Sequence, residues 1–459
     1  MKLGKPALFI GQVALLHVLV AYHALANDPH EQKLNGEMVS KRIVVAPHAP
    51  TVDSPVETQA RIPAKTMETR QLTPATDVIT PGAMKAAALY EADGRVLADL
   101  DHGWSGQTTL DPWLNRKAKA VLKRGRVAVG AVAILNVRNG DVIALADEFD
   151  PANPASQFVN KEGPANVALR KIAPSASIFK LVSAATLLDS GLSANQTFKY
   201  TYAKRRVIAR HLEKPNANAE REDLGSALAR SNNGWFARVT NQKLSRDHFV
   251  KALDRFWFNK VVPFPILTDA SAAQVPRNRL ERARMSAWFG HTEMTALHAA
   301  VVTAAIATDG QLPTPRLVSQ LHGPRGEVIE SPARQPLGRA MTEKTARTLR
   351  KMLTKTIDTG TARRAFKKWP SKLNGIKVGG KTGTLARRRD GGYIGYTWFI
   401  AYAPADKPEI AIAVMVGNSE KWWQRAVDIG RDILASYFSR KNRGTITAHN
   451  RPKRSRTTR

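Results

Sequence analysis

Ser177 and Lys180 stand three residues apart, after Pro174 and before the apolar run Leu181, Val182, Ala184, Ala185, Leu187 and Leu188. This pattern predicts a helix that begins at Ser177, with Lys180 one turn on and on the same face. A serine hydroxyl is a poor nucleophile until a base takes its proton. A lysine can be that base when burial disfavours its charged form. The free N–H groups of a helix start can also stabilise an oxyanion. Ser-x-x-Lys fixes only two of four positions, and an N-cap serine beside an ordinary lysine gives the same letters. The pattern occurs once in the chain.

Two further groups carry suitable chemistry. Ser231-Asn232-Asn233 follows a helix-like stretch, Leu224 to Arg230, and precedes Gly234. A hydroxyl and an amide two residues apart in a loop can face one cleft, although a solvated turn has the same composition. Lys381-Thr382-Gly383-Thr384 ends a strand-like segment that starts at Ile376. Glycine there lets a substrate backbone approach the strand edge, and the lysine and threonines suit a terminal carboxylate. Arg387-Arg388-Arg389 follows, either as a solvated hairpin tip or as a patch that steers acidic peptides.

These groups need a scaffold. Asp111 and Pro112 form the N-cap and first position of a helix. Arg126 to Val137 reads as a strand, Asn139-Gly140 as a hairpin turn and Asp141 to Ala146 as the returning strand. Helical patterns dominate from about Ile178 to Leu353. Three strands follow at Ile376 to Thr384, Tyr396 to Ala403 and Glu409 to Val416, and then a helix from Trp422 to Phe438. Strands from both ends with helices between predict an α+β fold, one antiparallel sheet of about five strands flanked by helices.

The 459 residues carry 70 Lys+Arg against 38 Asp+Glu, a net charge of +32, and no cysteine. Disulfides and thiolate metal sites are excluded, and the charge favours anionic partners. Lys2 and Lys5 precede an apolar stretch from Ala7 to Ala26 that ends in Ala24-Leu25-Ala26. Residues 1–26 therefore read as an export signal or as a retained membrane anchor. Export argues against nucleic acid as a partner. Residues 27–107 are polar and proline-rich, a linker or small pedestal, and residues 108–439 form the main domain. Residues 440–459 hold eight Lys/Arg and no acid, a basic disordered tail suited to an anionic envelope.

The order Ser-x-x-Lys, Ser-x-Asn, Lys-Thr-Gly is that of penicillin-binding proteins and serine β-lactamases. From Thr108 to Phe438 the chain resembles the transpeptidase domain of the penicillin-binding proteins. Thr108-Thr109-Leu110-Asp111-Pro112 is similar to that domain's opening, Gly130 to Ala146 to its first hairpin, Gly290 to Gly310 to its helix between the second and third motifs, and Thr359-Gly360-Thr361-Ala362 to the segment before the third. The resemblance implies the penicillin-binding transpeptidase or serine β-lactamase-like fold. It also implies D,D-transpeptidation of peptidoglycan stem peptides ending in D-Ala-D-Ala, with β-lactams as inhibitors and no cofactor or metal. Ser177 would be acylated, Lys180 would be its base, and Ser231 would relay protons. Asn233 would bind a substrate amide, and Lys381, Thr382, Gly383 and Thr384 would bind the carboxylate end. The N–H groups of Ser177 and Thr384 would form the oxyanion hole. The chain departs from the family at Ala176, where glycine is frequent, and at Ala296, where proline is frequent. A D,D-carboxypeptidase or a serine β-lactamase would share the acyl-enzyme. A non-catalytic β-lactam sensor or wall-synthesis scaffold is the alternative of another class. The 150 residues from Ser231 to Lys381, and the lack of a Glu-x-x-x-Asn loop between them, favour the synthetic enzymes. With residues 1–26 read as an export signal or anchor, the domain is expected to face the periplasm.

Overall fold

The computed structural model describes Met84, residues 89–442 and Gly444, apart from short internal segments at 101–102, 160–165, 204–205, 288–289, 332, 390–391 and 420–423. The expected signal or anchor, most of the linker and most of the basic tail lie outside the described residues.

In chain order the main strands are β1 (Leu89–Ala92), β2 (Arg95–Asp99), β3 (Ser105–Thr108), β4 (Val129–Asn136), β5 (Val142–Phe149), β6 (Val318–His322), β7 (Val328–Glu330), β8 (Gly379–Arg389), β9 (Gly392–Ala403) and β10 (Ile410–Asn418). The α-helices are α1 (Pro112–Arg124), α2 (Lys180–Asp189), α3 (Leu224–Ala229), α4 (Asn233–Lys243), α5 (Arg246–Arg255), α6 (Arg279–Ala287), α7 (Ala296–Ala307), α8 (Glu343–Asp358), α9 (Arg363–Phe366) and α10 (Ala426–Asn442).

The central sheet has the order β8-β9-β10-β4-β5 and is antiparallel throughout. The fold is therefore α+β, as expected. Side chains alternate across a strand, and here both faces are buried. In β4, Ala131, Ala133 and Leu135 join one core while Val132 and Ile134 join the other. In β10, Ala411, Ala413 and Met415 share the first core, and Ile412, Val414 and Val416 share the second. Burial on both faces explains why these strands read as unbroken apolar runs.

The first face packs on the helical region through α7, whose twelve residues are all buried. A helix that is apolar all round has this central place, and its alanines allow close approach. The second face is covered by α1 and α10, through Leu114, Ala118, Val121 and Leu122 of α1 and Ile429, Ile433, Leu434 and Phe438 of α10. Asp111 caps α1 as its type predicts, accepting from Leu114 N at 2.9 Å, with Pro112 in the first turn.

Three boundaries differ from the sequence expectation. Strands β1, β2 and β3 join β6 and β7 in a second five-stranded sheet, order β1-β2-β3-β6-β7. A division at residue 107 cuts through β3, which pairs with β6 more than two hundred residues later. Strand β8 runs on to Arg389 because Arg387, Arg388 and Arg389 pair across to Ile394, Tyr393 and Gly392. Helix α10 runs on to Asn442, so a tail starting at Arg440 is corrected. Arg440 Nη1 donates to both Asp111 carboxylate oxygens at 3.0 Å and its guanidinium lies 4.7 Å from the Trp113 ring, while Lys441 pairs with Glu409. Among the described residues no helix is long and apolar enough to cross a membrane.

Candidate active site

Ser177 lies in a 3-10 turn, Ala176–Phe179, that leads directly into α2 at Lys180. The expected α-helix start is thus one tight turn late. Ala176 adopts φ +48°, in the left-handed region, and this sets the turn's direction. The segment before it is pinned from two sides. Trp398 Nε1 donates to Pro174 O at 2.8 Å, and the Ser175 and Thr292 hydroxyls lie 2.6 Å apart.

Ser231 follows α3 with φ +55°, and the next residue closes the turn by donating from Asn232 N to Ala227 O at 2.8 Å. Asn232 is the structural member of the triplet. Its Oδ1 caps α4 by accepting from Trp235 N at 3.1 Å, and its Nδ2 donates to the buried Glu222 carboxylate at 2.8 Å. Glycine is required at 234, since a Cβ there would sit 2.1 Å from Thr201 O. This turn leaves the Ser231 hydroxyl and the Asn233 amide facing Lys180.

Lys180 and Lys381 are both 0% exposed. Lys180 Nζ lies 3.0 Å from Ser177 Oγ, 3.1 Å from both Ser231 O and Ser231 Oγ, and 2.6 Å from Asn233 Oδ1. Lys381 Nζ reaches Ser231 Oγ at 3.0 Å and Thr382 O at 2.7 Å. Desolvation holds Lys180 well below the usual lysine range, and the nearby Lys381 charge lowers it further. Burial brings Lys381 down to about 7. The three motifs converge on one hydroxyl, Ser231 Oγ, which touches both amines.

The β8 pleat sorts the third motif between two faces. Lys381 and Gly383 pair with Ile400 and Trp398, whose side chains join the core on the helical side. Thr382 and Thr384 pair with Phe399 and Thr397 on the α10 side. A Cβ on Gly383 would meet Ala176 Cβ at 3.3 Å and Ser177 N at 3.4 Å. Glycine at 383 thus lets the strand lie against the Ser177 turn.

A cleft of about 460 Å³ opens beside Ser177, with Ser231, Asn233, Thr382, Gly383 and Thr384 in its lining. All but the two lysines of the expected site residues line it, and the lysines lie beneath its floor. Five more lining residues were not singled out for a role by type or spacing: Thr361, Thr397, Trp398, Arg425 and Val427. Thr361 Oγ1 lies 2.5 Å from Thr382 Oγ1, and it belongs to the Thr359–Ala362 segment that the resemblance had marked. Arg387 is not free to steer ligands, because it pairs with Glu293. Among the described residues, no cluster of His, Cys, Asp and Glu could hold a metal.

The chain is similar to proteins already known. The chain is 25% identical over 386 residues to the peptidoglycan D,D-transpeptidase PbpA of Mycolicibacterium smegmatis, covering 75% of each. It is 24% identical over 327 residues to the stage V sporulation protein D of Bacillus subtilis, covering 68% of this chain and 48% of that protein. Among solved structures, the ceftriaxone acyl-enzyme of penicillin-binding protein A from M. tuberculosis superposes with a TM-score of 0.58 at 23% identity, covering 71% of this chain and 78% of that one. Penicillin-binding protein 3 from M. tuberculosis, complexed with aztreonam, gives a TM-score of 0.60 at 21% identity over 73% and 79% of the two chains. The family model described as the penicillin-binding protein transpeptidase domain matches residues 130–435, the span that holds all three motifs and all of the central sheet but Val129, so the chain belongs to that family.

Proposed function

We propose that the protein is a peptidoglycan D,D-transpeptidase that cross-links stem peptides through a Ser177 acyl-enzyme and is inhibited by β-lactams. The observation that carries this reading is the amine of Lys180, fully buried and 3.0 Å from Ser177 Oγ. A neutral amine has two N–H groups and one lone pair. Asn233 Oδ1 and the Ser231 oxygens can take the two N–H groups, leaving the lone pair for the Ser177 proton.

In the first step Ser177 Oγ attacks the carbonyl between the two D-alanines and its proton passes to Lys180. The backbone N–H groups of Ser177 and Thr384 receive the oxyanion. The C–N bond then breaks. The proton moves through Ser231 Oγ, which touches both amines, to the nitrogen of the departing D-alanine. An amine of a second stem peptide attacks the ester, and the same groups act in reverse. Asn233 orients a substrate amide. Thr382 and Thr384 hold the terminal carboxylate, with Lys381 behind them. Among the described lining residues there is no carboxylate, which supports a slowly hydrolysed β-lactam adduct. The same reading places the domain in the periplasm, delivered or held by residues 1–26.

Intact mass after incubation with benzylpenicillin, and separately with a D-Ala-D-Ala peptide plus an amine acceptor, tests this. The adduct should map to Ser177, vanish in Ser177→Ala, and be replaced by an amide product when peptide and amine are supplied. An adduct that persists in Ser177→Ala would refute the nucleophile. An acid product alone at saturating amine would make the enzyme a carboxypeptidase.

A further inference from the structure

Arg425 is the one residue with a charged side chain among the described residues lining the Ser177 cleft. The other lining groups are hydroxyls, an amide, glycine and apolar side chains. The two lysines lie under the floor and are already engaged with Ser231. Among the described lining residues, an anionic part of a ligand therefore meets a guanidinium only at Arg425.

The backbone of Arg425 is fixed in place. Its carbonyl accepts from Asp428 N at 2.9 Å and Ile429 N at 3.2 Å, and its own N–H donates to Asp428 Oδ2 at 3.3 Å. The next residue, Ala426, donates from N to Thr397 Oγ1 at 3.0 Å. Thr397 is the register partner of Thr384 on β8. Arg425 thus enters the start of α10 on the face of the sheet that carries Thr382 and Thr384. Its side chain is exposed and makes no ion pair among the described residues, whereas Asp428, its nearest acid in sequence, is paired with Arg431 at 3.2 Å. A guanidinium in the lining of a cleft that also carries two threonine hydroxyls is complementary to a carboxylate.

We propose that Arg425 is a specificity-determining residue, and that its guanidinium forms, with the Thr382 and Thr384 hydroxyls, the subsite for the C-terminal carboxylate of the acyl donor. This assignment rests on the acyl-transfer reading above and adds a determinant to it. Burial brings Lys381 down to about 7, whereas the guanidinium group in general does not lose its proton in proteins. The subsite's hold on carboxylate should therefore not fade as pH rises past neutrality.

The test compares benzylpenicillin with its methyl ester, which lacks the carboxylate charge, on the full chain carrying Arg425→Gln or Arg425→Lys. Second-order rates of Ser177 acylation are read by intact mass. With the free acid, Arg425→Gln should be slower by about 10–100-fold, the range for losing a hydrogen bond to a charged group. Its rate with the ester should match wild type, and Arg425→Lys should recover part of the loss on the acid. Equal losses on acid and ester would overturn the assignment, since they would mean a general distortion of the cleft. An unchanged rate on the acid would overturn it too. If only transfer to a carboxylate-bearing amine acceptor then fell, the charge would serve the acceptor instead. Failure of the wild-type chain to be acylated by either compound would overturn the acyl-transfer reading itself, and this assignment with it.

Discussion

Two lysines without access to water meet at one serine hydroxyl, and the cost of burying charge decides how each behaves. For Lys180 burial, helped by the Lys381 charge, favours the neutral amine that the proposed base role needs. Lys180→Ala should lower β-lactam acylation by ~10²–10⁴-fold, the usual share of a general base, while the thermal transition remains cooperative. Lys180→Arg should fail as badly, because a guanidinium cannot give up its proton. Near-normal acylation by a folded Lys180→Ala variant would assign the base elsewhere. For Lys381 the consequence is a pH-dependent stability. Its folded pKa is about 7, while an unfolded lysine titrates near ~10.4. Between those values the unfolded chain binds more protons, so stability rises with pH. The Lys381 contribution is complete above the unfolded value and is lost as pH falls toward 7. Lys381→Met carries no such term. Denaturant midpoints measured from pH 7 to 10 should therefore shift in favour of the native protein, by on the order of a few kcal/mol at full burial. Parallel curves for the two proteins would show that Lys381 does not titrate in this window.

At the scale of elements, the proposed catalytic geometry depends on how closely β8 lies against the Ser177 turn. Gly383→Ala would place a Cβ 3.2 Å from Trp398 Cβ and 3.3 Å from Ala176 Cβ. Neither neighbour is a flexible chain end, so the strand should move by a few tenths of an ångström and widen the oxyanion hole. We expect acylation to fall by roughly 10–100-fold with little change in melting temperature. Ala176→Gly removes one of those neighbours and also relieves the left-handed backbone at φ +48°, a strain of roughly 1 kcal/mol partly offset by the freer unfolded chain. The double variant should recover part of the lost rate, and strictly additive effects would mean that the two elements do not press on each other. The elements themselves were mostly legible before the fold was seen. Apolar runs marked β4, β9 and β10, and Asp111-Pro112 marked α1. Charge hid the end of β8, because Arg387 to Arg389 read as a tip although they continue the ladder. Strands β1 to β3 were hidden by shortness and polarity, since their partner β6 lies far along the chain. Within the site, three motifs in order identified both side chains that hydrogen-bond the Ser177 and Ser231 hydroxyls among the described residues. Arg425 left no such signal, because only the docking of α10 on Thr397 brings it to the cleft.

Across the whole molecule, the central sheet draws β4 and β5 from one end of the family domain and β8, β9 and β10 from the other. The outer face repeats this pattern, with α1 and α10 packed side by side over the second core. Arg440 fastens the two ends. Its contacts with both Asp111 oxygens and with Trp113 tie the last turn of α10 to the cap of α1. Asp111 already accepts from Leu114 N, so one carboxylate serves both the cap and the clasp. The Arg440 side chain is 23% exposed and that of Asp111 26%, so solvent screens the pair and a full buried-pair energy does not apply. With the ring contact included, Arg440→Ala should cost about 1 kcal/mol. Truncation after Ser439 should cost at least as much, since it removes Arg440 and Lys441 from the helix end together. Truncation after Asn442 should leave both the melting temperature and benzylpenicillin labelling unchanged, because the clasp remains. The removed segment, residues 443–459, carries six of the eight positive charges beyond Ser439. Its loss should instead weaken binding to acidic vesicles, most visibly at low salt, where the Debye length exceeds about 10 Å. If the two truncations melted together, the clasp would contribute nothing. If the shorter cut slowed labelling of Ser177, the segment beyond Asn442 would belong to the folded domain.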